Sequence, residues 1–141
     1  MGYIGFGILL KRGNGASPEQ FTAIAELIGL AGPTLSRETV DVTHTESTNK
    51  YREFIAGLLD AGEVTVDVAW LPDHATQNEA TGILKDLHDG TLRNFQIIWP
   101  TAAPVTWTIA CLVTGVDPTA PIEDRMTASI SLKVSGDPTL A

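Results

Sequence analysis

Glu63-Val64-Thr65-Val66-Asp67-Val68-Ala69-Trp70 alternates without a break. Val64, Val66, Val68 and Trp70 fall on one side of an extended chain; Glu63, Thr65, Asp67 and Ala69 fall on the other. Such a run reads as an antiparallel strand with one dry and one wet face. Leu71-Pro72-Asp73 ends it. The same period returns at 126–134, where Met126, Ala128, Ile130, Leu132 and Val134 alternate with Thr127, Ser129, Ser131 and Lys133. It returns again at 37–44, where Val40 and Val42 oppose Thr39, Asp41 and Thr43. Residues 4–10, 92–99 and 105–116 are β-prone, and 11–18 reads as a loop. Residues 21–30 read as a strand that Gly32-Pro33 turns back into a hairpin with the segment after it.

Two segments carry a helical period. Thr76-x-x-Glu79 matches a capping box, followed by Ala80, Ile83, Leu84 and Leu87 on one stripe, with Asp89-Gly90 as the stop. Tyr51, Phe54, Ile55, Leu58 and Leu59 also recur at helical spacing before Gly62, so a second short helix is expected there. About seven strands and these helices give a mostly β (α+β) fold, an antiparallel β-sandwich with one flanking helix. The 141 residues fit one domain, 1–141.

Composition narrows the function. Nine basic residues against seventeen acidic give a formal charge of -8. Gripping a phosphate backbone needs a basic stripe, and none is present. The single cysteine, Cys111, forms no internal disulfide and suits a reducing cytosol. The apolar N-terminus lacks the positive flank and cleavage site of a signal peptide. No apolar run reaches the ~20 residues that span a bilayer. The chain is expected to be soluble, made in the cytoplasm, and without a membrane partner.

The search for chemistry is largely negative. Gly13-Asn14-Gly15 lacks the Lys-Ser/Thr of a phosphate loop. No H-E-x-x-H, C-x-x-C or G-x-S-x-G pattern occurs. His44, His74 and His88 lie on three separate elements, and no diagnostic spacing makes them metal ligands. Cys111 reads as a small buried hydrophobe with no local base to activate it. Asp41 and Asp67 read as solvated strand residues; a carboxylate pair for hydrolysis is the competing reading. Trp70 shares a face with three valines and reads as core. Trp99 and Trp107 read as core, as subunit interface, or as a platform for a ligand. No catalytic residue, cofactor or metal is expected. The 51–59 stretch either covers the chain's own core or packs on a neighbouring subunit.

Several phrases, taken in order, resemble a known family. Ser36-Arg37-Glu38-Thr39-Val40-Asp41-Val42-Thr43-His44 leads through Lys50-Tyr51-Arg52-Glu53-Phe54-Ile55-Ala56-Gly57-Leu58 and Asp60-Ala61-Gly62-Glu63-Val64 to Trp70-Leu71-Pro72. Ile24-Ala25-Glu26 and Gly32-Pro33 precede them, and Asp124-Arg125-Met126-Thr127 opens a matching final segment that runs to Pro138. The order is similar to that in the major tail tube proteins of long, non-contractile-tailed bacteriophages. The likeness spans about residues 21–138, and no single phrase is chemically diagnostic. Some members carry an added immunoglobulin-like domain, and none is expected within these 141 residues.

The resemblance implies a structural virion protein of the phage tail, made in the host cytoplasm. Six subunits would form a ring whose strands join one inner barrel, and stacked rings would form a hollow tube. The 43–62 excursion would reach the adjacent ring, with Tyr51, Arg52, Phe54 and Ile55 as inter-subunit contacts. Family lumens tend to be acidic, which places Asp41, Glu63 and Asp67 facing the lumen. DNA would pass through without specific binding. Partners would be other copies of the chain, the tape measure protein and tail-end proteins. A type VI secretion-like tube protein, or a small carbohydrate- or ligand-binding β-module, are the competing expectations.

Overall fold

The computed structural model describes residues 2–79, 81–136 and 138–140. Its elements are β1 (Leu9–Gly13), β2 (Phe21–Ala23), β3 (Leu27–Ala31), β4 (Ser36–Asp41), β5 (Phe54–Asp60), β6 (Glu63–Ala69), α1 (Ile83–Asp89), β7 (Arg93–Trp99), β8 (Val105–Thr119), β9 (Thr127–Val134) and β10 (Thr139–Leu140). A single 3-10 turn, Thr48–Lys50, lies between β4 and β5. The fold is mostly β with one α-helix. An eight-stranded sheet runs β2-β1-β7-β8-β9-β6-β3, with β10 pairing β8; β4 and β5 form a separate two-stranded arm. Every paired strand is antiparallel. Among the described residues no helix is long and apolar enough to cross a membrane.

The alternation holds through 63–68, and Ala69, expected on the wet face, is buried instead. Val64, Val66 and Val68 are fully buried, while Glu63, Thr65 and Asp67 are exposed. Register carries both faces across the sheet. Val64 pairs Leu132, which pairs Val113, and Val66 pairs Ile130, which pairs Val116. With Leu10, Phe95, Ile97 and Ile109 these side chains form one core cluster. Burying each valine contributes about 1.5 kcal/mol or more. Cys111 sits in the same cluster with no exposed surface.

The helix is short and depends on what it touches. Seven residues are too few for an isolated helix to persist in water. Ile83 is buried, and α1 packs on β8. Asp86 is 1% exposed and holds two arginines. Its Oδ1 accepts from Arg12 Nη2 (2.7 Å) and Arg93 Nε (3.0 Å), and its Oδ2 accepts from Arg12 Nε. The triad ties α1 to β1 and β7. Gly90, in the left-handed conformation at φ 65, stops the helix by returning its N–H to the Asp86 carbonyl.

Several expectations need correction. Residues 51–59 are not a helix: Phe54–Asp60 is β5, paired with β4. The helical spacing of its apolar residues reflects an arm whose two faces both carry hydrophobic side chains, which erases the period of two. Residues 21–30 are two strands, interrupted where Glu26 takes φ 52. The segment after Gly32-Pro33 does not fold back on β3; β3 pairs β6 instead. Thr76 is no helix cap, because α1 begins at Ile83 after Gly82. Thr76 Oγ1 accepts from Ala25 N–H (3.2 Å), and the buried Gln77 amide donates to the carbonyls of Ala25 (3.1 Å) and Ala69 (3.2 Å). The segment before the helix therefore serves as a polar clasp. Ala80, expected in the helical stripe, lies outside the described residues. The first strand is Leu9–Gly13, later than residues 4–10, and β8 continues to Thr119.

Candidate assembly surfaces

Nearly every residue of the arm's two strands is exposed. Register sets Val40 opposite Ile55 on one face, and Asp41 opposite Phe54 and Arg37 opposite Leu59 on the other. Phe54, Ile55, Leu58 and Leu59 are between 52% and 81% exposed. Tyr51 and Arg52 precede β5 in the turn at the arm's tip, both exposed. The four residues expected at an inter-subunit contact are all exposed and lie within five consecutive positions, 51–55.

A hydrogen-bond network shapes the tip. Glu53 N–H donates to Thr43 Oγ1 (2.8 Å), Ser47 Oγ donates to the Glu53 carboxylate, and His44 Nε2 lies 3.3 Å from it. Glu46 N–H donates to His44 Nδ1 (3.1 Å). That acceptor role leaves the Nε2 proton to face Glu53 in the neutral ring. At the end of β4, the Thr43 hydroxyl and backbone N–H hold the Asp41 carboxyl below its ordinary pKa.

The acidic residues expected together separate into two places. Glu63 and Asp67 share the exposed face of β6, and Asp41 sits on the arm. Across the sheet Asp67 is opposite Ser129, which is opposite Asp117, an acidic position the sequence reading did not single out. Lys133, opposite Glu63, is the basic residue in these rows. The separation of Asp41 from Asp67 onto different sheets gives a carboxylate pair no common cleft.

The tryptophans pack. Trp99 and Trp107 meet edge to face, 5.2 Å between centroids at 76°, against the core cluster, and Trp70 packs on the same cluster. Burial pushes the Cys111 thiol up to about 12, which leaves it protonated and unreactive at neutral pH. Among the described residues no group of three His, Cys, Asp or Glu side chains is placed to hold a metal.

Comparison with known proteins places this geometry. A chain from the tail of an empty gene transfer agent (GTA) particle with C6 symmetry superposes with a TM-score of 0.78 at 23% identity, covering 99% of each chain. A chain of the anti-feeding prophage baseplate gives 0.71 at 12% identity, covering 100% of this chain and 96% of that one. The SPP1 tail tube gives 0.69 at 14%, covering 96% and 77%. No protein of curated function matches the sequence. The fold is thus common to phage tails, gene transfer agents and contractile injection systems, and does not single out the long-tailed phages. The family of the lambda phage tail tube protein (TTP), a structural family, matches residues 9–141, and the chain belongs to it.

Proposed function

We propose that this chain polymerises as stacked hexameric rings into the hollow tail tube of a phage virion, through which DNA passes. The observation that carries the reading is the arm. An isolated two-stranded ribbon is marginal in water, and this one leaves hydrophobic side chains open on both faces. Packing against further copies covers them. By this reading residues 43–62 reach the adjacent ring, with Tyr51, Arg52, Phe54 and Ile55 at the contact. The C6 symmetry of the related GTA tail supports six copies per ring.

A barrel shared by six copies needs strands with free edges to pair. β2 and β3, the two ends of the sheet path, are separated in the chain only by Ile24, Ala25 and Glu26. Four Cα steps reach at most ~15 Å. Six strand spacings in a flat sheet would hold those ends ~29 Å apart. A path curled on itself into a sandwich-like single domain satisfies the link, and its free edges suit strand pairing around a ring. Glu63 and Asp67, with Asp41 from the arm, face the lumen in this reading, where negative charge keeps DNA from adhering. Tape measure and tail-end proteins are its partners. Synthesis in the bacterial cytoplasm precedes incorporation into the tail.

Sedimentation velocity on the wild type and on an Ile55→Asp/Leu59→Asp variant tests the reading. The wild type should sediment as rings and filaments, and the variant as folded, smaller species. A variant that assembles like the wild type would remove the arm from the interface. Chains of extracellular contractile injection systems share this fold, and a type VI secretion-like tube is the second reading; hexameric tubes that assemble only inside a co-expressed contractile sheath would favour it. A carbohydrate-binding module would remain monomeric and bind through Trp99 or Trp107.

A further inference from the structure

Two exposed turns of this acidic chain carry opposite charge around an uncovered hydrophobic side chain. At the arm's tip, Lys50-Tyr51-Arg52 presents a tyrosine 74% exposed between two exposed cations. Between β8 and β9, Ile122-Glu123-Asp124 presents an isoleucine 102% exposed beside two exposed anions. Among the described residues neither cation and neither anion has an ion-pair partner. Glu53, the nearest acid to the cations in sequence, is engaged by Ser47 and His44. Glu46 remains beside the tip as an opposing charge. On the other turn Arg125 follows Asp124, whose carboxylate accepts the Arg125 backbone N–H (2.8 Å). The tip is also conformationally specified. Asn49 and Lys50 take φ 56 and 63, and Glu26 is the one other non-glycine at positive φ among the described residues. Such backbone is uncommon outside glycine and persists where surrounding structure fixes it.

Copies of a chain with a net charge of -8 repel one another at most approaches. A contact between copies gains from local attraction that overcomes this. We propose that the Lys50-Tyr51-Arg52 tip of one copy docks on the Ile122-Glu123-Asp124 turn of another, Tyr51 covering Ile122 while the two cations face the two anions. The inference rests on the assembly reading above and names the partner surface for the arm. Exposed ion pairs contribute little singly, but they fix register and exclude wrong approaches. Repetition around a ring multiplies their effect. Screening by salt should weaken the contact.

Charge reversal provides the test. Lys50→Glu/Arg52→Glu and Glu123→Lys/Asp124→Lys are made separately, checked for native circular dichroism and melting, and imaged at low salt beside the wild type. Each should stay folded and fail to form tubes. Mixing the two should restore tubes, because the reversed tip of one then meets the reversed turn of the other. A chain carrying all four changes should also assemble. Assembly of either double variant on its own, or failure of both the mixture and the fourfold variant, overturns the docking while leaving the tube reading intact. Failure of the wild type to polymerise, both alone and with its cognate tail-end proteins, is the separate result that removes the tube reading itself.

Discussion

Replacing Asp86 with Leu removes the carboxylate that Arg12 and Arg93 share. Asp86 has a side-chain exposure of 0%, against 13% and 17% for the arginines. Two guanidinium groups would then remain largely enclosed without an anion. Breaking a buried pair by deleting one partner costs about 3–5 kcal/mol. The arginines retain some access to water, so about 3 kcal/mol is the reasonable figure. For 141 residues the unfolding entropy is about 0.3 kcal/mol/K, and the melting temperature should fall by about 10 °C. The assay is a thermal melt of dilute monomer followed by circular dichroism. A companion variant, Asp86→Leu/Arg12→Met/Arg93→Met, replaces the whole triad with apolar groups and should recover most of that loss, since such replacements are often neutral or better. A single variant melting within about 2 °C of wild type would refute the pairing energy assigned here. So would a triple variant as unstable as the single one.

Gly62 should not tolerate Ala: at φ 66 its added Cβ would meet the Thr34 carbonyl oxygen, and chemical denaturation should show a loss of about 2 kcal/mol or more. Gln77→Leu should leave the Ala25 and Ala69 carbonyls and the Leu71 N–H without their partner, costing about 2 kcal/mol and speeding amide exchange at Leu71. Cys111 should resist iodoacetamide in the native chain at pH 8.5 and react fully in denaturant, read by mass spectrometry. Its folded pKa of about 12 lies above the ordinary value of about 8.5. The neutral buried thiol therefore stabilises the fold fully below about pH 8.5, and that contribution is lost as pH rises toward 12.

Much of the fold was legible where one face meets the core. The valines of β6 and the alternating residues of β9 bury as their period indicates, because the sheet's own interior decides their environment. The arm was illegible for the complementary reason. Its apolar residues do not meet this chain's core, so neither a period of two nor burial disciplines their spacing, and Tyr51, Phe54, Ile55, Leu58 and Leu59 mimic a helix. Thr76 and Glu79 mimic a cap for a different reason. The short-range pattern was present, but Thr76 Oγ1 is engaged by Ala25, 51 residues away in the chain. Asp86 went unnoticed because its partners, Arg12 and Arg93, stand 74 and 7 residues off. A charged residue inside an otherwise apolar helical stripe was the available signal. Asp67 was placed on an exposed polar face, whereas its neighbour Asp117 lay just past the 105–116 segment expected to be strand, and β8 includes it.

The most direct test of assembly is electron microscopy of the purified chain at high concentration, alone and with its cognate tail-end proteins. The account predicts hollow tubes built from stacked six-fold rings, with the β4–β5 arm spanning from one ring to the next. Small monodisperse particles under both conditions, or rings whose arms stay free in solvent, would contradict it.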